Sequence, residues 1–218
     1  MIDHIIWDWN GTLLNDVQYG ITLINRLLRE YHKPELESIQ AYHRVFTFPV
    51  KNYYAAIGFG DDIFDEVAVK WMDAYMKDEA CCPLRTGAVE IANLFHSKNI
   101  RQVVISASKL SNLHIQMASR PYFSFFDAPR GLGDIYAGSK IDISLDWMKT
   151  SGAKPENTLL IGDTLHDKAV ADALSCRCIL VENGHQSREA LLQSGAAVAR
   201  DLFEAADMVL KGQGIAYG

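Results

Sequence analysis

Three apolar runs in this 218-residue chain each end at a residue that could do chemistry. Asp8 follows "IIW", Ser106 follows "QVVI", and Asp163 follows "TLLIG" with Asp167 four residues on. A carboxylate can attack as a nucleophile, exchange a proton, or ligate a hard divalent cation through oxygen. A serine hydroxyl can donate to an anionic oxygen. Taken singly, Ser or Asp after a strand is an ordinary helix N-cap. The order of all three is harder to explain by capping alone.

The stretch "IIWDWNGTLLND", residues 5–16, admits two readings. Asn-Gly flanked by apolar residues is the strongest short-range signal for a β-hairpin, which would pair Ile5–Trp7 with Thr12–Leu14. Alternatively, a buried strand ends at Trp7 and delivers Asp8 to a glycine loop. The rest of the chain favours the second. "VQYGITLINRLLREY" sets Val17, Ile21, Ile24, Leu28 and Tyr31 on one stripe, which predicts a helix over 16–31. Residues 35–80 are rich in aromatics and helix formers and contain no β-branched run long enough for a central strand, so they read as an all-helical unit. From Pro83 onward, short apolar runs alternate with helices: a helix around Ala88–Phe95, then "QVVIS", then a helix around Leu110–Ala118. "DWMKTSGAKPENTLLIGD" and "HDKAVADALSCRCILVENG" each read as a helix followed by an apolar run, and the C-terminal part closes with helices. Such alternation predicts βαβ units and a doubly wound parallel sheet, an α/β fold whose ligands sit beyond the carboxyl ends of the strands.

Composition sets wider limits. Apolar residues make up 49% and charged residues 22%, the profile of an ordinary globular protein. A formal charge of −6 argues against a nucleic-acid surface, which needs a basic face. No apolar run reaches the roughly 18 residues of a membrane span, and "MIDHIIWDWNG" has no basic segment of the kind that opens a secretory signal. The cysteines, Cys81-Cys82 and Cys176-Arg177-Cys178, lack zinc spacing and read as thiols of a reducing cytoplasm.

In the order Asp8-Trp9-Asn10-Gly11-Thr12, Ser106 of "VVISAS", Lys140 of "GSKID", and Asp163 with Asp167 in "GDTLHD", the sequence resembles the haloacid dehalogenase superfamily, and within it the phosphoglycolate-phosphatase-like members. The resemblance implies a Rossmann-like core over residues 1–15 and 82–218 with a helical C1-type cap inserted over 16–81. It implies a Mg²⁺-dependent phosphatase acting on a small phosphorylated molecule, phosphoglycolate- or sugar-phosphate-like, as a monomer or homodimer. Asp8 would be the nucleophile; Thr12, Ser106 and Lys140, with Gly11 and Ala107 beside them, would hold the phosphoryl group; Asp8, the main-chain oxygen of Asn10, Asp163 and Asp167 would hold the metal. Lys109 is the alternative to Lys140, and His166 sits within the last motif.

Position 10 departs from the family pattern, which usually has a second aspartate there as general acid and base. Asparagine cannot exchange a proton at neutral pH, and losing such a group costs roughly 10²–10⁴-fold. A weakly active or phosphate-binding protein, or a phosphonate hydrolase using a cap lysine such as Lys51, are therefore alternatives. Within the cap, "YHRVFTFPVKNYY" offers His43, Arg44 and Lys51 among aromatics as a lip that would recognise the substrate.

Overall fold

The computed structural model describes residues 1–212; the final part of the expected core segment, 213–218, lies outside the described residues. Among the described residues, six strands form one parallel sheet in the order β3-β2-β1-β4-β5-β6. They are β1 (His4–Trp7), β2 (Arg101–Lys109), β3 (Arg130–Leu132), β4 (Thr158–Gly162), β5 (Arg177–Val181) and β6 (Ala197–Ala199). Ile5, Ile6 and Trp7 pair in parallel with Gln102–Val104 on one side and Leu159–Ile161 on the other, so no hairpin forms. The hairpin needs a free neighbour for β1, and both of its edges are taken. The chain winds outward through β2 and β3, then returns to the other side of β1 for β4. That reversal opens the crevice in which ligands of such sheets bind.

Side-chain alternation along β1 explains why a nearly continuous apolar run is needed. Ile5 and Trp7 enter a core with α5 (Ala88–Ser97) and α10 (Leu202–Lys211), while Ile6 enters the opposite core with α7 (Ile141–Ser151) and α8 (Leu165–Ala173). Each fully buried side chain of this kind contributes on the order of 1.5–3 kcal/mol. The expected strands at β1, β2, β4 and β5 are present, and so is the helix α6 (Leu110–Ala118). Two features differ from the sequence reading. The sequence reading has no strand at β3 or β6, since each has three residues and neither carries a long β-branched run; β6 lies within the stretch read as helical, between α9 (Arg188–Leu192) and α10. Ser106 also lies inside β2 rather than after it, because the strand continues to Lys109 along β3 beyond its pairing with β1.

Between β1 and β2 lie α1 (Val17–Glu30), α2 (Ile39–Val45), α3 (Val50–Ala56) and α4 (Phe64–Asp78). They share a separate core in which Ile21, Ile24 and Leu28 of α1 meet Tyr42, Tyr53, Tyr54, Phe64 and Val67. The return to the core is fastened by Arg120, which follows α6. Its guanidinium pairs with Glu79 at 2.9 Å and donates to the main-chain oxygens of Glu79 and Cys82 at 3.0 and 2.8 Å, with both ionic side chains buried. Removing one partner of a buried pair strands the other charge. Arg120→Met should therefore lower the unfolding free energy by about 3–5 kcal/mol. Urea denaturation measures this, and a loss below about 1 kcal/mol would mean the clasp contributes little.

Candidate active site

The carboxyl ends of β1, β2 and β4 come together at one point. Asp8 is held one residue beyond β1 by its N–H, which donates to Ile161 O at 2.9 Å and so extends the sheet ladder. Past Asp8 the chain turns sharply: the N–H groups of Thr12, Leu13 and Leu14 all point at Trp9 O, at 3.2, 3.0 and 2.9 Å. Gly11 makes that turn with φ +75°. A side chain there would be strained and would also run into the Asp163 carboxylate and the His185 ring.

The turn places Thr12 so that its hydroxyl lies 3.1 Å from Asp8 Oδ2 and 2.9 Å from Asp163 Oδ1. Asp163 Oδ2 accepts from the His185 N–H at 2.6 Å. Asp167 closes a capping box at the start of α8, accepting from the Thr164 hydroxyl at 2.6 Å and the Thr164 N–H at 3.0 Å. Its second oxygen, Oδ1, accepts no well-aligned hydrogen bond but faces the Lys140 ammonium at 2.8 Å. Lys140, 2% exposed, reaches in from the start of α7 and also meets Asp8 Oδ1 at 2.5 Å and Ile105 O at 3.0 Å. Its ammonium thus stands against three oxygen atoms, two of them carboxylate. Asp8, Asp163 and Asp167 each present an oxygen within 4.8 Å of the others.

The charges act on one another strongly. Burial raises the Asp8 carboxyl to about 6, against the opposing pull of Lys140. Burial and the neighbouring Asp8 and Asp167 push Asp163 well above the usual carboxylate range. Burial would raise Asp167 too, but Lys140 outweighs it and holds Asp167 below its ordinary value. Burial works against the Lys140 charge, yet Asp167 and Asp8 raise its pKa above that of a free lysine. His166 and His185 are both lowered, chiefly by burial. Three carboxylates facing one ammonium leave a surplus of negative charge, and an oxygen-only donor set of this kind suits a hard divalent cation.

One cavity of about 150 Å³ joins this cluster to the helical layer, with Asp8, Ser106, Ala107, Lys140, Asp163 and His166 at its core end. Of the two lysines considered, Lys140 is the one that reaches Asp8. Arg44 lies elsewhere, in a separate cleft against Gly184–Gln193, where His43 Nε2 is 3.0 Å from Gly184 O. Lys51 is half-exposed, paired with Asp61 at 3.1 Å, and stands over the Phe64 ring. Neither Arg44 nor Lys51 lines the cavity that contains Asp8.

Sequence reasoning did not single out Asp16, Tyr75 or Ser108, which surround Asn10, nor His185, whose Nε2 lies 3.9 Å from Asp16 Oδ1. The Asn10 amide nitrogen donates to Asp16 Oδ2 at 2.7 Å and to Tyr75 Oη at 3.0 Å; Tyr75 in turn donates to Asp16 at 2.6 Å. The amide oxygen accepts from Ser108 Oγ at 2.7 Å, with Ser106 Oγ farther off at 3.5 Å. Asp16 opens α1 but caps nothing there: its other oxygen accepts from the Gly11 N–H at 2.9 Å. The Asn-Asp spacing of six residues was the available signal, and it reads as ordinary turn and cap chemistry.

Residues 5–181 match the haloacid dehalogenase-like hydrolase family. The chain belongs to that family. Among curated proteins it is similar to phosphoglycolate phosphatase 1 of Pseudomonas aeruginosa, 21% identical over 223 residues, covering 93% of this chain and 79% of that one. Among solved structures, a predicted phosphatase from Clostridium acetobutylicum superposes with a TM-score of 0.84 at 18% identity, over 97% of this chain and 99% of that one. CbbY from Rhodobacter sphaeroides, solved in complex with phosphate, gives 0.70 at 19% identity over 95% and 96%. These structural likenesses establish the fold.

Gly11→Ala should fold less stably by roughly 1–2 kcal/mol from the left-handed backbone alone. It should lose more through displacement of Asp163, with a drop of several degrees in thermal midpoint as the readout.

Proposed function

We propose that this hydrolase is a Mg²⁺-dependent phosphatase that transfers the phosphoryl group of a small phosphomonoester to Asp8 and then to water. The observation that carries the reading is the meeting of Asp8 with Lys140 and Thr12 on one side and with Asp163 and Asp167 on the other. Asp8 Oδ1 is paired with the Lys140 ammonium and Oδ2 with the Thr12 hydroxyl, so the carboxylate is fixed in direction at the end of β1. The Lys140 ammonium would stand beside Asp8 as a fixed positive charge, and the hydroxyls of Ser106 and, on release from the carboxylates, Thr12 would donate to the phosphoryl oxygens, lowering the cost of bringing a carboxylate against a phosphate dianion. Asp8, Asp163 and the Asn10 main-chain oxygen, with Asp167 behind them, would hold the cation. A bound Mg²⁺ supplies further charge neutralisation at the phosphoryl group. The family membership and the phosphatase relative support this chemistry.

Asn10 occupies the place from which the family's acid would protonate the leaving oxygen. With its amide engaged by Asp16, Tyr75 and Ser108, it fixes the loop but donates no proton to substrate. Ester hydrolysis then proceeds on leaving groups that depart as anions.

Hydrolysis of 4-nitrophenyl phosphate, an ester with a good leaving group, should be measurable with Mg²⁺, vanish on chelation, and return when Mg²⁺ is restored. Asp8→Asn should reduce it by at least 10³-fold, the scale of losing a covalent nucleophile. Phosphate binding with no turnover would instead make this a binding protein. Lys140→Met, which leaves Asp8 and Asp167 without their counter-charge, should cost roughly 10²–10³-fold in kcat.

A further inference from the structure

Resting on the phosphatase reading, we infer that the ester this site accepts is a phosphate of an aromatic hydroxyl, not of a carboxylate-bearing or polyhydroxylated alcohol. Two independent features of the site point the same way.

The first is the cavity beyond the reacting group. From the carboxylate cluster it runs into the helical layer between Tyr42, Phe46, Tyr53, Trp71, Met72 and Tyr75. The rings are fixed against one another: Trp71 stacks on Tyr75 at 4.8 Å and 15°, and Phe46 on the His185 ring at 4.8 Å and 21°. The whole cavity, including the end that would hold the phosphoryl group, is about 150 Å³, so the leaving group beyond that end is no larger than a single ring. Among the described residues that line it, Lys140 is the one side chain with an ammonium or guanidinium group, and it is already committed to Asp8, Asp167 and Ile105 O. The charged group nearest the aromatic end is the carboxylate of Asp16, held by Tyr75 and Asn10. A carboxylate on the leaving group would find neutral amides and hydroxyls there, such as those of Asn112 and Tyr54, but no counter-charge beyond the committed Lys140, and burying a charge without one is strongly disfavoured. A sugar would bury several hydroxyls against ring faces, and each unsatisfied one costs about 1–3 kcal/mol. A single aromatic ring meets neither penalty and gains edge and face contacts.

The second is Asn10. The pKa of a phenolic hydroxyl is about 10, far below that of water or an alkanol. Attack by Asp8 Oδ forms the Asp8 O–P bond as the P–O(aryl) bond breaks. The electron pair leaves on the phenolate, which takes its proton from solvent. Water then adds to phosphorus, the Asp8 O–P bond breaks with its electron pair returning to the carboxylate, and dihydrogen phosphate departs. No protein acid is needed to expel a phenolate, so an asparagine whose amide is spent on Asp16, Tyr75 and Ser108 is compatible with this substrate. For an alkyl ester it is costly.

The test compares kcat/KM for phenyl phosphate and 2-phosphoglycolate in the presence of Mg²⁺, for the wild-type chain and Met72→Lys. The expected wild-type ratio favours phenyl phosphate by roughly 100-fold or more, the size of the missing acid's contribution. Met72→Lys places an ammonium in the aromatic end and should shrink that ratio at least tenfold, the effect of one charge-assisted contact. A wild-type ratio near one or favouring 2-phosphoglycolate overturns the aromatic assignment, while turnover of 4-nitrophenyl phosphate lost in Asp8→Asn would leave the phosphatase reading standing. If none of the three esters is hydrolysed, both fall together. The wild-type ratio decides the question even if the lysine variant does not fold.

Discussion

Buried like charges repel, and in this molecule the buried carboxylates of Asp8, Asp163 and Asp167 each present an oxygen within 4.8 Å of the others. At short range, even in a moderately polar interior, each such repulsion is worth several kcal/mol. Much of the surrounding architecture answers that cost. Lys140 is inserted between two of the three acids; α8 begins so that Asp167 sits at the positive end of its dipole; the Thr12 hydroxyl and the His185 N–H reach the oxygens of Asp163. The adjacency of β1 and β4 is what brings Asp8 and Asp163 together at all. A parallel sheet that starts from its central strand has one place where two neighbouring strand ends open away from each other, and the acids occupy it.

The same electrostatics bears on position 10. Its amide stands 2.7 Å from the Asp16 carboxylate. An aspartate there would set two buried acids against each other, and one of them would have to keep a proton. Asparagine instead donates to Asp16, and Tyr75 donates to the same oxygen from the helical layer. The identity of residue 10 is thus tied to residue 16 and to a side chain arriving from α4. Position 10 thus holds a fixed hydrogen-bond network.

Much of the framework could be read from apolar runs. β1, β2, β4 and β5 are buried on both faces, so their residues are apolar without alternation and stand out between amphipathic helices. β3 and β6 pair on one side and are partly solvated, so Arg130–Leu132 and Ala197–Ala199 carry no comparable signature. Among site residues, Asp8, Thr12, Asp163 and Asp167 sit in motifs whose order points to them, and the structure brings them into one cluster. Asp16 and Tyr75 were not legible. An aspartate at a helix start looks like a cap, and a tyrosine on a helical stripe looks like core, until the fold brings them to the same amide. Arg44 and Lys51 illustrate the converse: their charge and aromatic neighbours suggested a substrate lip, but sequence proximity to aromatics does not say which side of a helix faces the cavity.

The helical layer is fastened to the sheet at its return crossing by the Arg120 guanidinium, which reads the side chain and main chain of the returning segment at once. A graft that exchanged this layer for one from a relative, cut at the two crossings, would carry Glu79 away and leave a cation sealed in the interior. The layer is therefore not an interchangeable cassette: transplanting it requires placing the seam ahead of Glu79, so that Glu79 and Cys82 stay with Arg120, or redesigning the end of α6. Diversification among relatives with a similar fastening would be confined to what lies between the seams.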